Sequence, residues 1–184
     1  MPRPAIFFDR DGVINVSPGE GYVLGWEAFH FSEGIMEATR LCSDLGYALV
    51  LVTSQQGVGK GLLSQETLDD IHQRMQQELA AHGAAFDQIE SCTHLSGTCT
   101  CRKPSPEMIH RAEASLALDL SRSWLIGDHD RDIQMAVNAG VPGTIRVIGH
   151  HVPGVTATHT VASTAELPAL LKGVLPKLVH PSCP

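Results

Sequence analysis

Two aspartates stand two positions apart in the segment Asp9-Arg10-Asp11-Gly12, directly after the apolar run 5–8. Carboxylates this close resist ionising side by side, because each negative charge raises the pKa of the other. A bound cation relieves the repulsion, and so does a division of labour in which one carboxylate attacks while the other carries protons. An ordinary turn is the alternative, since Asp and Gly are common turn residues. The tetrapeptide therefore indicates a candidate catalytic or metal-binding site, to be weighed against the rest of the chain.

A second group of reactive side chains lies within ten positions and comprises Cys92, His94, Cys99 and Cys101. Three thiols and one imidazole form the ligand set of a closed, structural zinc site. The alternatives are buried thiols beside a surface histidine, or a thiol pair oxidised after purification. Because Arg102 and Lys103 follow directly, zinc here would fix the loop that presents both cations. With no open coordination position, the metal is expected to do no chemistry itself.

Short apolar runs alternate with longer amphipathic segments along the chain. The apolar runs predict buried strands at 5–8, 48–52, 89–92, 124–126 and 144–148, with one more at 160–162. The amphipathic segments predict helices near 33–45, 65–82, 106–116 and 131–139, with one more at 165–171. Ser64 is a predicted N-cap, and Ser105 before Pro106 predicts a capping serine with proline at the first helical position. The alternation predicts an α/β fold with three layers, a Rossmann-like parallel sheet with helices on both faces.

Composition sets the class of protein. The chain has 184 residues, of which 43% are hydrophobic and 18% charged, a balance typical of one globular domain. We expect that domain at 1–176, with a frayed tail at 177–184. The net charge of -7 argues against a nucleic-acid partner. No apolar run is long enough for a membrane span, and the N-terminus lacks the apolar segment of a signal peptide. We therefore expect a cytoplasmic monomer that acts on a small molecule.

Polar residues follow the predicted strands, at the edge where an open parallel sheet binds its ligands. They are Asp9 and Asp11 after the first strand, Thr53, Ser54, Gln55 and Gln56 after the second, Arg102 and Lys103 beyond the third, and Asp128 after the fourth. Asp132 comes shortly after Asp128 and is expected to orient Lys103 or a metal-bound water. Because so many polar groups gather at one edge of the sheet, we predict the active site there.

The order of these residues resembles the four motifs of the haloacid dehalogenase-like phosphatases, over essentially the whole chain. The resemblance implies that Asp9 attacks phosphorus and forms an aspartyl-phosphate, while Asp11 protonates the leaving oxygen and then activates water. It implies a Mg²⁺ ion held by the carboxylates of Asp9 and Asp128 and by the main-chain carbonyl of Asp11. Thr53 and Lys103 would bind the transferring phosphoryl group. Phosphoryl transfer needs the charge neutralisation that a metal and a lysine supply.

The zinc loop followed by Arg-Lys-Pro resembles the branch that contains histidinol-phosphate phosphatases and D-glycero-D-manno-heptose-1,7-bisphosphate phosphatases. The stretches 8–15, 21–23 and 52–55 look closest to the heptose enzymes, which implies loss of the 7-phosphate from the heptose bisphosphate. By this resemblance the substrate contacts are Arg10, Gly21, Tyr22, Ser54, Gln55, Gln56 and Arg102.

Three departures keep histidinol phosphate as the alternative substrate. Ser54 stands where this branch usually has Asn, and His129 where the heptose enzymes often have Lys. The zinc loop is also short between His94 and Cys99, as in the histidinol branch. A second phosphate would need cations such as Arg10, Lys60 and Arg102, whereas an imidazole with an ammonium would need the carboxylates of Glu20 and Glu27. A zinc-stapled binding module without catalysis is the alternative from another class.

The connection between Asp11 and the first helix is too short for an inserted cap domain. We therefore expect an open site, with the loop 15–26 and the zinc loop as its walls. The stretch Gly57 to Gly61 lacks the spacing of a P-loop and does not predict a nucleotide site.

Overall fold

The computed structural model describes residues 2–149 and 153–178. Six strands form one sheet: β1 (Ala5–Phe8), β2 (Ala48–Ser54), β3 (Gln88–Cys92), β4 (Trp124–Gly127), β5 (Gly143–Val147) and β6 (His159–Val161). Their order is β3-β2-β1-β4-β5-β6, and every pair is parallel. β1 lies in the middle, with Phe8 beside Leu51 of β2 and Ile126 of β4. The chain therefore delivers the carboxyl ends of β1 and β4 side by side.

Six helices connect the strands: α1 (Ile35–Asp44), α2 (Gln56–Gly59), α3 (Gln65–Ala81), α4 (Glu107–Leu116), α5 (Asp130–Ala139) and α6 (Leu167–Val174). Ser64 caps α3, because its hydroxyl accepts a hydrogen bond from the Thr67 amide at 3.1 Å. Gly140 ends α5 in the left-handed conformation at φ 76° that favours glycine. None of these helices is long and apolar enough to cross a membrane.

Helices cover both faces of the sheet. The central strand β1 is therefore a continuous run of apolar residues. Ile6 and Phe8 pack on one face with the apolar sides of α1, α3 and α6. Ala5 and Phe7 pack on the other face with those of α4 and α5. All four side chains of β1 are fully buried. The predicted three-layer α/β class is confirmed. Between β1 and α1 the chain contains only a 3₁₀ turn (Trp26–Ala28) and no cap domain.

Near the site, the structure differs from the prediction in the bounds of β2 and α4 and in one additional helix. β2 continues through Thr53 and Ser54, because both pair with β3 instead of following the strand. α4 begins at Glu107, so Pro106 precedes the helix, although the Ser105 hydroxyl still accepts from the Glu107 amide at 3.3 Å. The short helix α2 was not predicted.

The predicted frayed tail lies mostly outside the described residues, which end at Leu178. The amide of Leu178 donates to the carbonyl of Leu45 at 2.9 Å.

Candidate active site

Two neighbouring strand ends bring the first carboxylates together. Asp9 follows β1, and its amide donates to the Ile126 carbonyl of β4 at 2.9 Å. Asp128 follows β4. Gly12 makes this approach possible, because its φ of 92° suits glycine and a Cβ there would collide with the carboxylate of Asp128. The close approach of the segment after β1 to Asp128 therefore depends on a glycine at position 12.

Lys103 joins two of the buried carboxylates. Its Nζ donates to Asp9 Oδ1 at 2.6 Å and to Asp132 Oδ1 at 2.7 Å, and all three side chains are at most 7% exposed. Burial alone would lower the pKa of Lys103, but the carboxylates of Asp132 and Asp9 raise it above its usual value. The amine is therefore held as an ammonium ion beside Asp9.

Asp132 has two tasks. While Oδ1 accepts from Lys103, Oδ2 accepts from the amide of His129 at 3.0 Å. That second bond is half of a capping box, in which the His129 ring nitrogen accepts from the start of α5 in return. One carboxylate therefore begins the helix and anchors the lysine.

The carboxylates of Asp9, Asp128 and Asp132 lie close enough to hold one ion, with ligand oxygens within 4.8 Å of one another. Burial, reinforced by the charge of Asp132, raises the pKa of Asp9 to about 7 and that of Asp128 to about 6. The cluster is thus short of positive charge even with Lys103 present. Because both oxygens of Asp132 are already bonded, Asp9 and Asp128 are the donors left for a cation. An all-oxygen donor set fits Mg²⁺.

The carboxylate of Asp11 is surrounded by hydrogen-bond donors. Its carboxylate accepts from Arg10 Nη2 at 3.0 and 3.1 Å, from Asn15 Nδ2 at 3.0 Å and from Gln55 Nε2 at 2.9 Å. Burial would raise the pKa of Asp11, but the Arg10 charge and these hydrogen bonds lower it below its usual value. Asp11 is therefore held as a carboxylate at the edge of the pocket.

Arg10 does not reach the pocket, contrary to the expected substrate contact. Its side chain is fully buried beneath Asp11, and its remaining Nη1 lies 3.4 Å from His72 Nε2. Burial and the neighbouring Arg10 charge lower the pKa of His72 to about 4, so the imidazole is neutral. Arg10 therefore acts on Asp11 and not on a ligand in the pocket.

Gln55 is also turned away from the pocket wall. Its side-chain amide donates to Thr53 Oγ1 at 2.8 Å as well as to Asp11, and the residue is 3% exposed. The expected direct substrate contact of Gln55 is replaced by a link between Thr53 and Asp11. Thr53 itself is buried at the end of β2, where its hydroxyl faces this network.

A cavity of about 270 Å³ opens beside the carboxylates. Of the expected substrate contacts, the structure places these on its wall: Gly21, Tyr22, Ser54, Gln56 and Arg102. Ser54 Oγ and Arg102 Nη1 are buried without a protein partner. The loop 15–26, expected to form a wall, contributes Ser17, Pro18, Gly19 and Glu20, and the wall also holds His129 and Arg131. Of these residues, sequence reasoning missed Arg131. Lys60 is not on the wall but lies over the ring of Tyr22, with Nζ 5.3 Å from the centroid.

The four predicted zinc ligands converge. Their donor atoms lie within 4.8 Å of one another, although the residues span a loop of ten positions. Cys92 Sγ is 3.5 Å from Cys99 Sγ, and His94 Nδ1 is 3.4 Å from Cys101 Sγ. A tetrahedral zinc with bonds of about 2.0–2.3 Å places its ligands about 3.4–3.8 Å apart. Donor types and spacing therefore fit a structural zinc ion.

The glycine-rich helix α2 packs closely against the Cys92–Cys101 loop. A Cβ on Gly59 would lie 2.6 Å from the Thr93 carbonyl oxygen, and one on Gly57 would lie 2.6 Å from Leu63 and 3.2 Å from Tyr22. Both glycines are thus required for close packing. Because α2 fits between the Cys92–Cys101 loop and the pocket wall at Tyr22, the loop supports the pocket as well as presenting Arg102.

Comparisons with known proteins agree with this site. A family model described as HAD-hydrolase-like matches residues 100–167. The chain is 37% identical to D-glycero-beta-D-manno-heptose-1,7-bisphosphate 7-phosphatase of Yersinia pestis, covering 92% of this chain and 95% of that protein. It is 41% identical to the protein of the same name from Vibrio cholerae, covering 80% and 82%.

A comparison with solved structures also finds similarity to a heptose bisphosphate phosphatase. The crystal structure of D,D-heptose 1,7-bisphosphate phosphatase from B. bronchiseptica, complexed with magnesium and phosphate, superposes with a TM-score of 0.81. That protein is 29% identical, and the match covers 92% of this chain and 98% of the other. With two curated relatives above one-third identity over most of their length, the chain belongs to the haloacid dehalogenase-like hydrolases and is a phosphatase of that family.

Proposed function

We propose that the chain removes the 7-phosphate of D-glycero-D-manno-heptose 1,7-bisphosphate by way of phospho-Asp9. The observation that carries the proposal is the buried cluster of Asp9, Lys103 and Asp132 beside a pocket whose wall presents Arg102. The printed names of the curated relatives support this substrate, and they specify its β anomer. Histidinol phosphate is the alternative, for which Glu20 on the same wall offers a carboxylate.

Asp9 is the nucleophile in this proposal. Lys103 holds Oδ1, which leaves Oδ2 to attack phosphorus in line with the leaving oxygen. The new bond joins Asp9 to phosphorus, and the bond between phosphorus and the sugar oxygen breaks. Mg²⁺ would be held by the carboxylates of Asp9 and Asp128 and the main-chain carbonyl of Asp11, and would neutralise charge on the phosphoryl oxygens.

Asp11 carries the protons. The phosphate dianion raises the pKa of Asp11 as it approaches, so the carboxylate takes up a proton from solvent and then gives it to the departing sugar oxygen. The resulting carboxylate, held by Arg10, Asn15 and Gln55, then takes a proton from the water that attacks phospho-Asp9. That attack releases inorganic phosphate and restores both aspartates.

Substrate choice is tested by kcat/KM for the heptose bisphosphate and for histidinol phosphate, measured side by side. We expect the bisphosphate to be preferred by at least about tenfold, because a guanidinium pairs well with a phosphate. Arg102→Ala is expected to remove most of that preference. Arg74→Ala, on the exposed face of α3, is the control and should leave it unchanged. A preference for histidinol phosphate that survives Arg102→Ala would contradict the proposed substrate and leave the phosphatase chemistry intact.

We also propose that zinc occupies the set of Cys92, His94, Cys99 and Cys101. All three cysteines are free thiols in the structure, which suits metal binding. We also propose a cytoplasmic location, because the cysteines are spaced as a metal-ligand set and not as a disulfide framework.

Zinc content provides the second test. Protein purified without added metal is expected to contain about one zinc per chain by elemental analysis. Cys99→Ser should lose the metal and lower kcat/KM, because the loop that carries Arg102 would lose its fixed shape. Cys42→Ser, in the buried face of α1, is the control and should keep the zinc. Three titratable loop thiols in zinc-free, fully active protein would refute the assignment.

A further inference from the structure

We propose that Arg131 is a specificity-determining residue that, together with Arg102, binds the second phosphate of the substrate. This inference rests on the proposed function, since it assigns a role within the same pocket. Arg131 stands in the first turn of α5, and its side chain lies on the pocket wall.

A bisphosphate brings two negatively charged groups into a pocket that already contains carboxylates. Each phosphate monoester carries about -1.5 to -2 charges at neutral pH. The wall already holds the carboxylates of Asp11, Glu20 and Asp128, in a chain whose net charge is -7. The second phosphate therefore needs cations that the transferring phosphate does not use.

The buried cations are already committed. Lys103 bonds to two carboxylates and is 1% exposed, and Arg10 is enclosed beneath Asp11. Lys60 lies over Tyr22 instead of on the wall. The arginines that line the pocket are Arg102 and Arg131.

Arg131 differs from every other arginine of the chain. Residues 2–149 and 153–178 include all the arginines, and among these Arg131 alone has a guanidinium with no hydrogen bond or ion pair. The others pair as follows: Arg3 with Asp87, Arg10 with Asp11, Arg40 with Asp44, Arg74 with Asp70, Arg102 with Gln56, Arg111 with Glu90 and Glu107, Arg122 with Asp119, and Arg146 with Asp130. An unpaired guanidinium in a pocket keeps all its donors for a ligand.

Arg102 also has one terminal nitrogen without a protein partner, although that atom is buried. One of its terminal nitrogens, Nη2, lies 3.4 Å from Gln56 Oε1, whereas Nη1 is buried without a partner. Planar guanidinium groups bind phosphate through paired, parallel hydrogen bonds. Two arginines from different parts of the fold, one after the Cys92–Cys101 loop and one in α5, therefore line the same pocket as cations for the second phosphate.

The test compares two sugars that differ only in the second phosphate: the heptose 1,7-bisphosphate and the heptose 7-phosphate. For Arg131→Gln we expect kcat/KM for the bisphosphate to fall about 10- to 100-fold, mainly through KM, because a charge-assisted hydrogen-bond pair is lost. For the monophosphate we expect a smaller loss, because the Arg131 charge also lowers the pKa of Asp128. Arg131→Lys should recover part of the loss. Lys172→Ala, an exposed cation on α6, is the control for net charge and should change neither value.

Binding provides a readout that does not depend on turnover. In an Asp9→Asn background, calorimetry should show that Arg131→Gln weakens binding of the bisphosphate more than that of the monophosphate. Equal losses for both sugars, or no loss for either, would overturn the role of Arg131. If wild-type protein binds the bisphosphate but does not hydrolyse it, the proposed function fails, and the calorimetric comparison still decides the inference. If the bisphosphate binds no better than the monophosphate in that background, the inference fails.

Discussion

Asp9→Asn is expected to abolish phosphatase activity, with kcat falling by at least about 10⁴-fold. The carboxamide cannot attack phosphorus, so no phosphoenzyme forms with any phosphate ester. The fold should remain, because Lys103 keeps its bond to Asp132 when Asp9 becomes neutral. Steady-state kinetics and a thermal melt measure both quantities on the same protein.

Asp11→Asn is the matched comparison, because it removes the proton carrier and keeps the nucleophile. With an aryl phosphate, whose leaving group needs no proton, this variant should still release the phenol in a first rapid turnover. The same assay on Asp9→Asn should show no release at all. A normal turnover rate in Asp9→Asn would contradict the phospho-Asp9 mechanism, and identical behaviour of the two variants would contradict the division of roles between them.

Lys103→Met is expected to cost both activity and stability. The substitution leaves Asp9 and Asp132 buried without their shared cation, and breaking a buried pair in this way costs about 3–5 kcal/mol. Activity on any phosphate ester should fall at least about 10³-fold, because the transferring phosphoryl group also loses its lysine. Urea unfolding of metal-free protein gives the free energy, and Lys172→Met serves as the exposed control.

The pH dependence of this loss follows from the sign of the pKa shift. Burial already raises the pKa of Asp9 to about 7, and loss of the ammonium ion raises it further. A carboxyl with a raised pKa holds its proton in the folded state after the unfolded chain has lost it, so stability falls as pH rises between the two values. Lys103→Met should therefore be more destabilising at pH 8 than at pH 5. An equal loss at both pH values would contradict an electrostatic cause.

The strand ends of the site could be predicted from the sequence because parallel strands are short apolar runs with polar residues at one edge. That rule places Asp9 and Asp128 directly after their strands without any coordinates, whereas Thr53 lies inside the end of β2. The zinc ligands could be predicted from donor types alone, and the structure brings them together. Local signals with a strong physical cause, such as the Ser64 cap, also appear where they were expected.

Side-chain direction could not be predicted in the same way. Arg10 lies next to two catalytic positions in the sequence, yet it points under Asp11, since only the folded chain shows that His72 and Asp11 enclose it. Gln55 likewise turns toward Thr53. Arg131 was missed for the opposite reason: a charged residue near a helix start is usually solvated, and its lack of any partner is visible only when every arginine has been placed.

Asp132 accepts from both the His129 amide and Lys103, so motion at the start of α5 affects the position of the lysine. Fraying of the first turn of α5 would break the bond from the His129 amide and loosen the carboxylate that anchors Lys103. Opening of a helix end, normally a harmless event with a small free-energy cost, would here release the ammonium ion from its place beside the nucleophile. Amide hydrogen exchange in that turn would therefore report the fraction of molecules with an assembled charge cluster. The fraction of time for which the charge cluster is assembled would then depend on the fluctuations of this one helical turn.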